Sequence, residues 1–216
     1  MRVPRIPRRL KRFARDEDGT TIVEFAVSFV VFLLLFFAVV DFGRMAFSYV
    51  VTEKAVQIAA RVAAVRPPAC TGVPDLNARH PSPTTPLPNY GTACNAGGNI
   101  CAAPTVSCTG TLANATVNEI WQIIDGRMPG TTSAANLRFS YTSDVNMGFL
   151  GGPYTPVVTV ELVNAQFNFT TPLAGLVMLL GQTPGAELGT GSPRGVTFPT
   201  MSVSLPGEDL SNGISG

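Results

Sequence analysis

Apolar side chains occupy the sequence in three distinct rhythms. From Phe25 to Val40 the run "FAVSFVVFLLLFFAVV" carries no charge, and Ser28 is its only polar side chain. Extended back to Thr20 as a helix, it reaches about 30 Å, the thickness of a bilayer's hydrocarbon core. Beyond it, Phe42, Met45, Tyr49, Thr52, Val56, Ala59 and Ala63 recur at steps of three and four, while Arg44, Ser48, Lys54, Gln57 and Arg61 fall largely elsewhere on the wheel. Pro67 and Pro68 end that pattern. A single helix from about Thr20 to Val65 is therefore predicted, close to 70 Å long, its first half suited to lipid and its second half a stem. The stem's apolar stripe needs a partner to cover it.

The rest of the chain supplies candidates. "NATVNEIWQIIDGRM" reads as a short helix, with Thr116 and Glu119 as a capping-box pair, Val117, Ile120, Trp121 and Ile124 as an apolar stripe, and Gly126 at its C-terminal end. The rhythm then changes to period two. Leu137, Phe139 and Tyr141 give one strand; Val158, Val160 and Leu162, continued by Phe167 and Phe169, give a long one; Met201, Val203 and Leu205 give a third. "TPLAGLVMLLG", with Thr171 as cap and Pro172 at the first helical position, predicts a further short helix or buried loop, too short to span a membrane. The expected fold class is α+β: a long transmembrane-plus-stem helix packed on a small antiparallel sheet with one or two short helices. The expected divisions are a basic leader at 1–19, a membrane helix at 20–41, a stem at 42–66 and an extracytoplasmic domain at 67–216, with a Pro- and Cys-rich loop at 67–110.

Charge sharpens this division. The formal net charge of +1 conceals seven basic residues in positions 1–18, Arg2 to Arg15, against Asp16, Glu17 and Asp18; the remainder holds eight basic and eleven acidic side chains. Without the leader the chain is mildly acidic, which argues against nucleic acid as a partner. The thirteen large apolar residues of the run contribute roughly 4 to 8 kcal/mol to insertion. A carboxylate at the bilayer centre costs about 3 kcal/mol, and less at the end where Glu24 lies, so insertion wins. The basic cluster before the span places the N-terminus in the cytoplasm and the residues beyond Asp41 outside.

Cys70, Cys94, Cys101 and Cys108 then fall in an oxidising compartment, where an even number favours disulfides. Three connectivities are possible, and nearest-neighbour pairing, Cys70 with Cys94 and Cys101 with Cys108, is the expected one. A zinc site would need closer pairs such as CxxC or several histidines, and His80 stands alone. No GxSxG or HExxH occurs, and "ELGTGSPRG", Glu187 to Gly195, lacks the lysine of a phosphate-binding loop. The triplets "NAT" at Asn114 and "NFT" at Asn168 match a glycosylation sequon, a pattern that arises often by chance. No active site and no cofactor are expected. Trp121 is read as a packing residue rather than a ligand platform.

The leader, then Asp16-Glu17-Asp18-Gly19, then Thr20-Thr21-Ile22-Val23-Glu24-Phe25 and the span, resembles the prepilin processing motif of type IV filament proteins. In that motif cleavage follows the glycine and the fifth mature residue is glutamate; counted from Thr20, Glu24 is the fifth. "VEFA" and the later "VVDFGR", Val39 to Arg44, resemble the TadE-like pseudopilins of the tight adherence (Tad or Flp) pilus system more than type II secretion pseudopilins, which read like GFTLIE here. Val30 stands where many members have proline, and four cysteines are not a general family feature. The resemblance implies processing at Gly19 and Thr20, an assembly role for Glu24 and Phe25, no enzymatic activity and no cofactor. The partners it implies are the prepilin peptidase, a major Flp-type pilin, a sister pseudopilin, membrane lipid and the inner-membrane assembly machinery with its ATPase. Because major Flp pilins are very short, a long downstream region points to a minor component. The competing readings are an uncleaved single-pass anchor carrying a binding or adhesion domain, an ordinary secretory signal, whose apolar core should be shorter, and an extracytoplasmic enzyme using its cysteines.

Overall fold

The computed structural model describes residues 18–169, 195–208 and 210. Helix α1, Asp18–Val65, runs unbroken for 48 residues, about 72 Å at 1.5 Å per residue. Strand β1, Thr105–Thr109, follows a long loop; helix α2, Ala115–Ile124, comes next and passes into a short 3-10 turn at Asp125–Arg127. A second 3-10 turn, Ala134–Asn136, leads into strand β2, Leu137–Thr142, and β3, Val157–Leu162, β4, Gln166–Asn168, β5, Gly195–Thr197, and β6, Met201–Pro206, complete the described elements. Two antiparallel sheets result: a four-stranded one ordered β1-β2-β3-β6 and a two-stranded ribbon, β4-β5.

Alternation along the strands decides which face is covered. Leu137, Phe139 and Tyr141 of β2 and Val158, Val160 and Leu162 of β3 are buried on one face, as the period of two requires. Register stacks them across strands: Phe139 lies between Cys108 and Val160, Tyr141 between Val106 and Val158, and Leu162 between Leu137 and Met201. On the opposite face Thr159 and Ser204 share a 2.8 Å hydroxyl hydrogen bond, and Arg138 lies 3.8 Å from Glu161.

The covered face receives the second half of α1. Thr52, Ala55, Val56, Ala59, Ala60 and Ala63 are fully buried, and the alanines, lacking bulk beyond Cβ, let the helix backbone lie close against α2, β3 and β6. The predicted stem stripe is therefore core from Met45 onward. Its first member, Phe42, is 57% exposed, and Asp41, one position earlier, is buried in its place.

Where α1 ends, its carbonyls and those of the following turn are taken up by other elements, which fixes the chain's exit. Ala64 O accepts from Glu208 N at 2.9 Å, Pro67 O from the Thr116 hydroxyl at 2.8 Å, and Pro68 O from Asn114 Nδ2 at 3.2 Å. The Ala69 N–H donates to the Tyr141 hydroxyl at 2.8 Å; burial pushes that phenol's pKa up. The cap of α2 is Asn114, whose Oδ1 accepts from Val117 N, rather than the predicted Thr116 and Glu119 pair. Thr116 is already inside the helix, and Glu119 reaches Arg66 instead, accepting from its Nε and Nη2 at 3.0 Å. That contact lowers the Glu119 pKa and raises the Arg66 pKa, but so exposed a pair adds little to stability.

Three further expectations are corrected. The long third-quarter strand is two strands in different sheets, because Asn164 adopts a left-handed φ of 56° and turns the chain between Leu162 and Gln166. The predicted disulfide pairing is replaced by Cys70–Cys108 and Cys94–Cys101. Cys70 leaves the end of α1 beside the sheet edge formed by β1, so its neighbour in space is Cys108, with Cα atoms 5.6 Å apart. The second bond is nested inside the loop closed by the first. Finally, the Pro-rich loop carries strand pairing of its own: β1 within its predicted limits, and isolated bridges Leu76 to Pro153, Arg79 to Cys101 and Ala93 to Phe149. Asn77, nearly buried, organises it by donating Nδ2 to Pro153 O at 2.9 Å and its N–H to Gly152 O at 2.8 Å. Gly148 sits at φ +84°, where a Cβ would lie 2.5 Å from Asn77 Nδ2, so only glycine fits. The helix predicted at "TPLAGLVMLLG" and the leader before Asp18 lie outside the described residues.

Candidate anchoring and assembly site

The first half of α1 is the candidate site, and its defining property is what does not cover it. Ile22, Val23, Phe25, Val27, Phe32, Leu35 and Val39 are each more than half exposed, and none of the most apolar 18-residue window is buried within the chain. The core helix of a soluble fold would bury such a surface, which at about 25 cal/mol per Å² cannot stay in water without a large penalty. Along the helix its phenylalanine rings stack on one another, Phe25 on Phe29 at 5.7 Å and Phe32 on Phe36 at 6.3 Å. The helix is thus, by length and composition, long and apolar enough to cross a membrane.

Gly19 and Thr20 lie in the first turn of α1. Glu24 is exposed one turn further on, at the i,i+4 position from Thr20, and Phe25 is 68% exposed. The predicted residues therefore share the apolar helix, and Thr20 and Glu24 share one of its faces. The four cysteines lie far from them, paired in the domain at the other end of the chain, and none is free. Among the described residues no group of three or more His, Cys, Asp or Glu could hold a metal.

A second cluster, where the apolar run meets the stem, shows only in three dimensions. Asp41 is fully buried and accepts from Arg44 Nη1 at 3.5 Å. The same guanidinium lies over the Phe167 ring, 5.9 Å from its centroid, a cation–π distance. Around it, Phe42 meets Phe169 edge-on at 6.2 Å, Phe167 meets Phe169 at 5.6 Å and Phe198 at 6.2 Å, and Tyr49 meets Phe198 at 5.7 Å. The β4-β5 ribbon is thereby clamped to α1 where the apolar run ends. The sequence motif "VVDFGR" marks Asp41 and Arg44 but not their aromatic partners, whose sequence signal is the alternation of Phe167 and Phe169 and an isolated Phe198.

Residues 19–61 match the family model described as TadE-like protein. This segment is TadE-like. The match begins at the predicted processing glycine, spans the apolar run and the Asp41 to Arg44 group, and ends at Arg61 on the stem. It takes in roughly a fifth of the 216 residues, so the sheet domain lies outside the TadE-like segment. No curated protein and no solved structure matches the chain. The TadE-like segment and the uncovered helix together support a membrane-anchored protein associated with a Tad pilus system.

Proposed function

We propose that the chain is a TadE-like minor pilin or pseudopilin, cut after Gly19 by a prepilin peptidase and built into, or needed to start, a Tad/Flp-type adhesive pilus. The role is structural rather than enzymatic. One observation carries the reading: the helix that bears the TadE-like match leaves its whole apolar half uncovered, while its other half is the core of a folded domain. In this reading the basic leader stays cytoplasmic, the span sits in the inner membrane, and the disulfide-bearing domain is periplasmic, where oxidation is possible. The peptidase, a major Flp-type pilin, a sister pseudopilin and the assembly machinery with its ATPase are the partners.

Cleavage removes the leader's cations and creates an ammonium on Thr20 with an unperturbed pKa of about 8. Glu24 then gains a counter-charge, from its own Thr20 or from that of a neighbouring subunit. In lipid such pairing relieves two costly groups together, and it fixes the axial position of one helix against the next. Phe25 beside it adds apolar contact. One observation favours the alternative of an uncleaved anchor with a binding or adhesion domain: α1 begins at Asp18 and runs straight through the Gly19–Thr20 bond. A terminal helical turn frays easily, and a peptidase needs only that turn opened.

Replacing the acid tests the assembly role. Glu24→Gln is expected to lower assembled pili by about tenfold or more, because leaving one partner of a lipid-embedded charge pair alone costs well above the 1.4 kcal/mol of a tenfold change. The variant should still reach the membrane fraction in normal amount. Undiminished piliation in Glu24→Gln cells would refute the assembly role.

A further inference from the structure

Asp41 ends the uncharged run in the sequence, yet in the fold it does not end the apolar surface. Its side chain turns inward and is fully buried, and Arg44, on the flank of the helix, is held at Asp41 and over the Phe167 ring. The face of α1 that looks away from the folded domain therefore passes both without meeting a charge. Val39, Gly43, Phe47 and Val50 follow one another on that face at steps of three and four. Val39 is 73%, Phe47 72% and Val50 53% exposed, and a Cβ at Gly43 would meet nothing within 4 Å. The next positions on the face are Lys54, Gln57 and Arg61, and both cations are exposed. The outward surface thus changes from apolar to charged between Val50 and Lys54, some three helical turns beyond Val40.

We infer that the headgroup layer on the outer-facing side of the bilayer covers this surface, so that the folded domain rests against the membrane with Phe42, Phe47 and Val50 immersed instead of standing clear of it on a free stem. This placement rests on the membrane-anchored reading of α1. Length supports it first. The helix from Phe25 to Val50 measures about 39 Å, which overshoots the roughly 30 Å hydrocarbon core and approaches the roughly 40–45 Å of a bilayer with its headgroup regions. Continuity supports it next: Phe32 and Phe36, both more than half exposed, lead up the same face to Val39 and on to Phe47. A second element reaches the same level, because Phe169, the residue after β4, meets the half-exposed Phe42 edge-on at 6.2 Å. The cation that follows completes the order, since a lysine at the boundary lays its apolar stem along the surface and keeps its ammonium in water. A second protein chain packed on α1 has no reason to end its contact at the height that bilayer thickness sets.

Lipid contact of this kind holds the domain down on the bilayer, and entry of the subunit into a filament then requires these turns to leave the headgroup layer.

Nitroxide labels on Val39→Cys, Phe47→Cys, Val50→Cys and Arg61→Cys, one variant at a time in the full chain reconstituted into phosphatidylglycerol-containing liposomes, test the placement. The four native cysteines are paired, so the new thiol alone takes the label. Electron paramagnetic resonance compares collisions with oxygen, which concentrates in lipid, and with a water-soluble nickel chelate. The oxygen-to-nickel ratio should decline gently from Val39 through Phe47 to Val50 and fall severalfold only between Val50 and Arg61. Near-UV circular dichroism and a stoichiometry of one label per chain check that each variant keeps its fold and its disulfides. An aqueous ratio at Phe47 and Val50 beside a lipid ratio at Val39 would overturn the immersion and leave the anchor standing. Weak collision with both reagents at Phe47 and Val50 would overturn it in favour of a protein chain on this face. An aqueous ratio at Val39 as well would refute the anchor itself.

Discussion

Phe139→Ala is expected to destabilise the folded domain by about 3–5 kcal/mol, the cost of removing a fully enclosed aromatic ring. Phe139 has no exposed surface and stands mid-strand in β2, with Cys108 and Val160 opposite it on the two flanking strands. The surrounding wall has little freedom to collapse. Gly110 is so close that a Cβ there would lie 3.2 Å from the Phe139 ring and 2.5 Å from Ala134 O, and Cys70, disulfide-bonded to Cys108, packs beside the same strand. The cavity therefore persists rather than filling. At about 2–4 °C per kcal/mol for a domain of this size, the midpoint of thermal unfolding should fall by roughly 10 °C, read by far-UV circular dichroism at 222 nm. Phe139→Leu, which refills most of the volume, should recover over half of the loss. A fall of only a degree or two for Phe139→Ala would mean that the sheet does not carry the core.

The double substitution Cys70→Ser with Cys108→Ser is expected to cost about 4 kcal/mol, from the chain entropy returned to an unfolded state no longer closed across 38 residues. Cys94→Ser with Cys101→Ser opens a loop of only 7 residues, and the same relation gives about 2.4 kcal/mol. The order of the two effects, rather than either magnitude, discriminates between connectivities. Nearest-neighbour pairing would leave each of these double variants with two unpaired cysteines from different bonds and would produce similar losses. Thermal melts of the two double variants, with peptide mapping of the unreduced wild type, decide the point. Recovery of a peptide joining Cys70 to Cys94 would overturn the assigned pairing.

Much of this architecture was legible because single rhythms map onto single elements. The uncharged run and the three-four spacing after it are two halves of one helix, and the alternations at Leu137 to Tyr141 and Val158 to Leu162 are the buried faces of β2 and β3. Strand β1 was missed because an edge strand covered on one side shows only Val106 and Cys108 between exposed Thr and Ser, too few apolar positions to stand out from a loop. β5, at Gly195–Thr197, offers a single valine. The break at Asn164 depends on one residue's left-handed backbone, which a run of otherwise alternating residues conceals. Disulfide pairing was not legible because it follows from where the end of α1 meets the sheet edge, a tertiary fact. At the site, Gly19 and Glu24 are positions in a local motif and could be found by counting. The Asp41, Arg44 and Phe167 cluster joins residues more than 120 positions apart, so it has no counterpart in the sequence pattern.

In the proposed function the apolar helix is released from its leader and anchors the mature subunit through a new N-terminus beside Glu24. Intact mass and N-terminal sequencing of the chain purified from native membranes test this most directly. The predicted result is a chain beginning at Thr20, with the leader restored when Gly19 is replaced by valine. A native chain that still carries its arginine-rich leader would contradict the claim and leave the uncleaved anchor in its place.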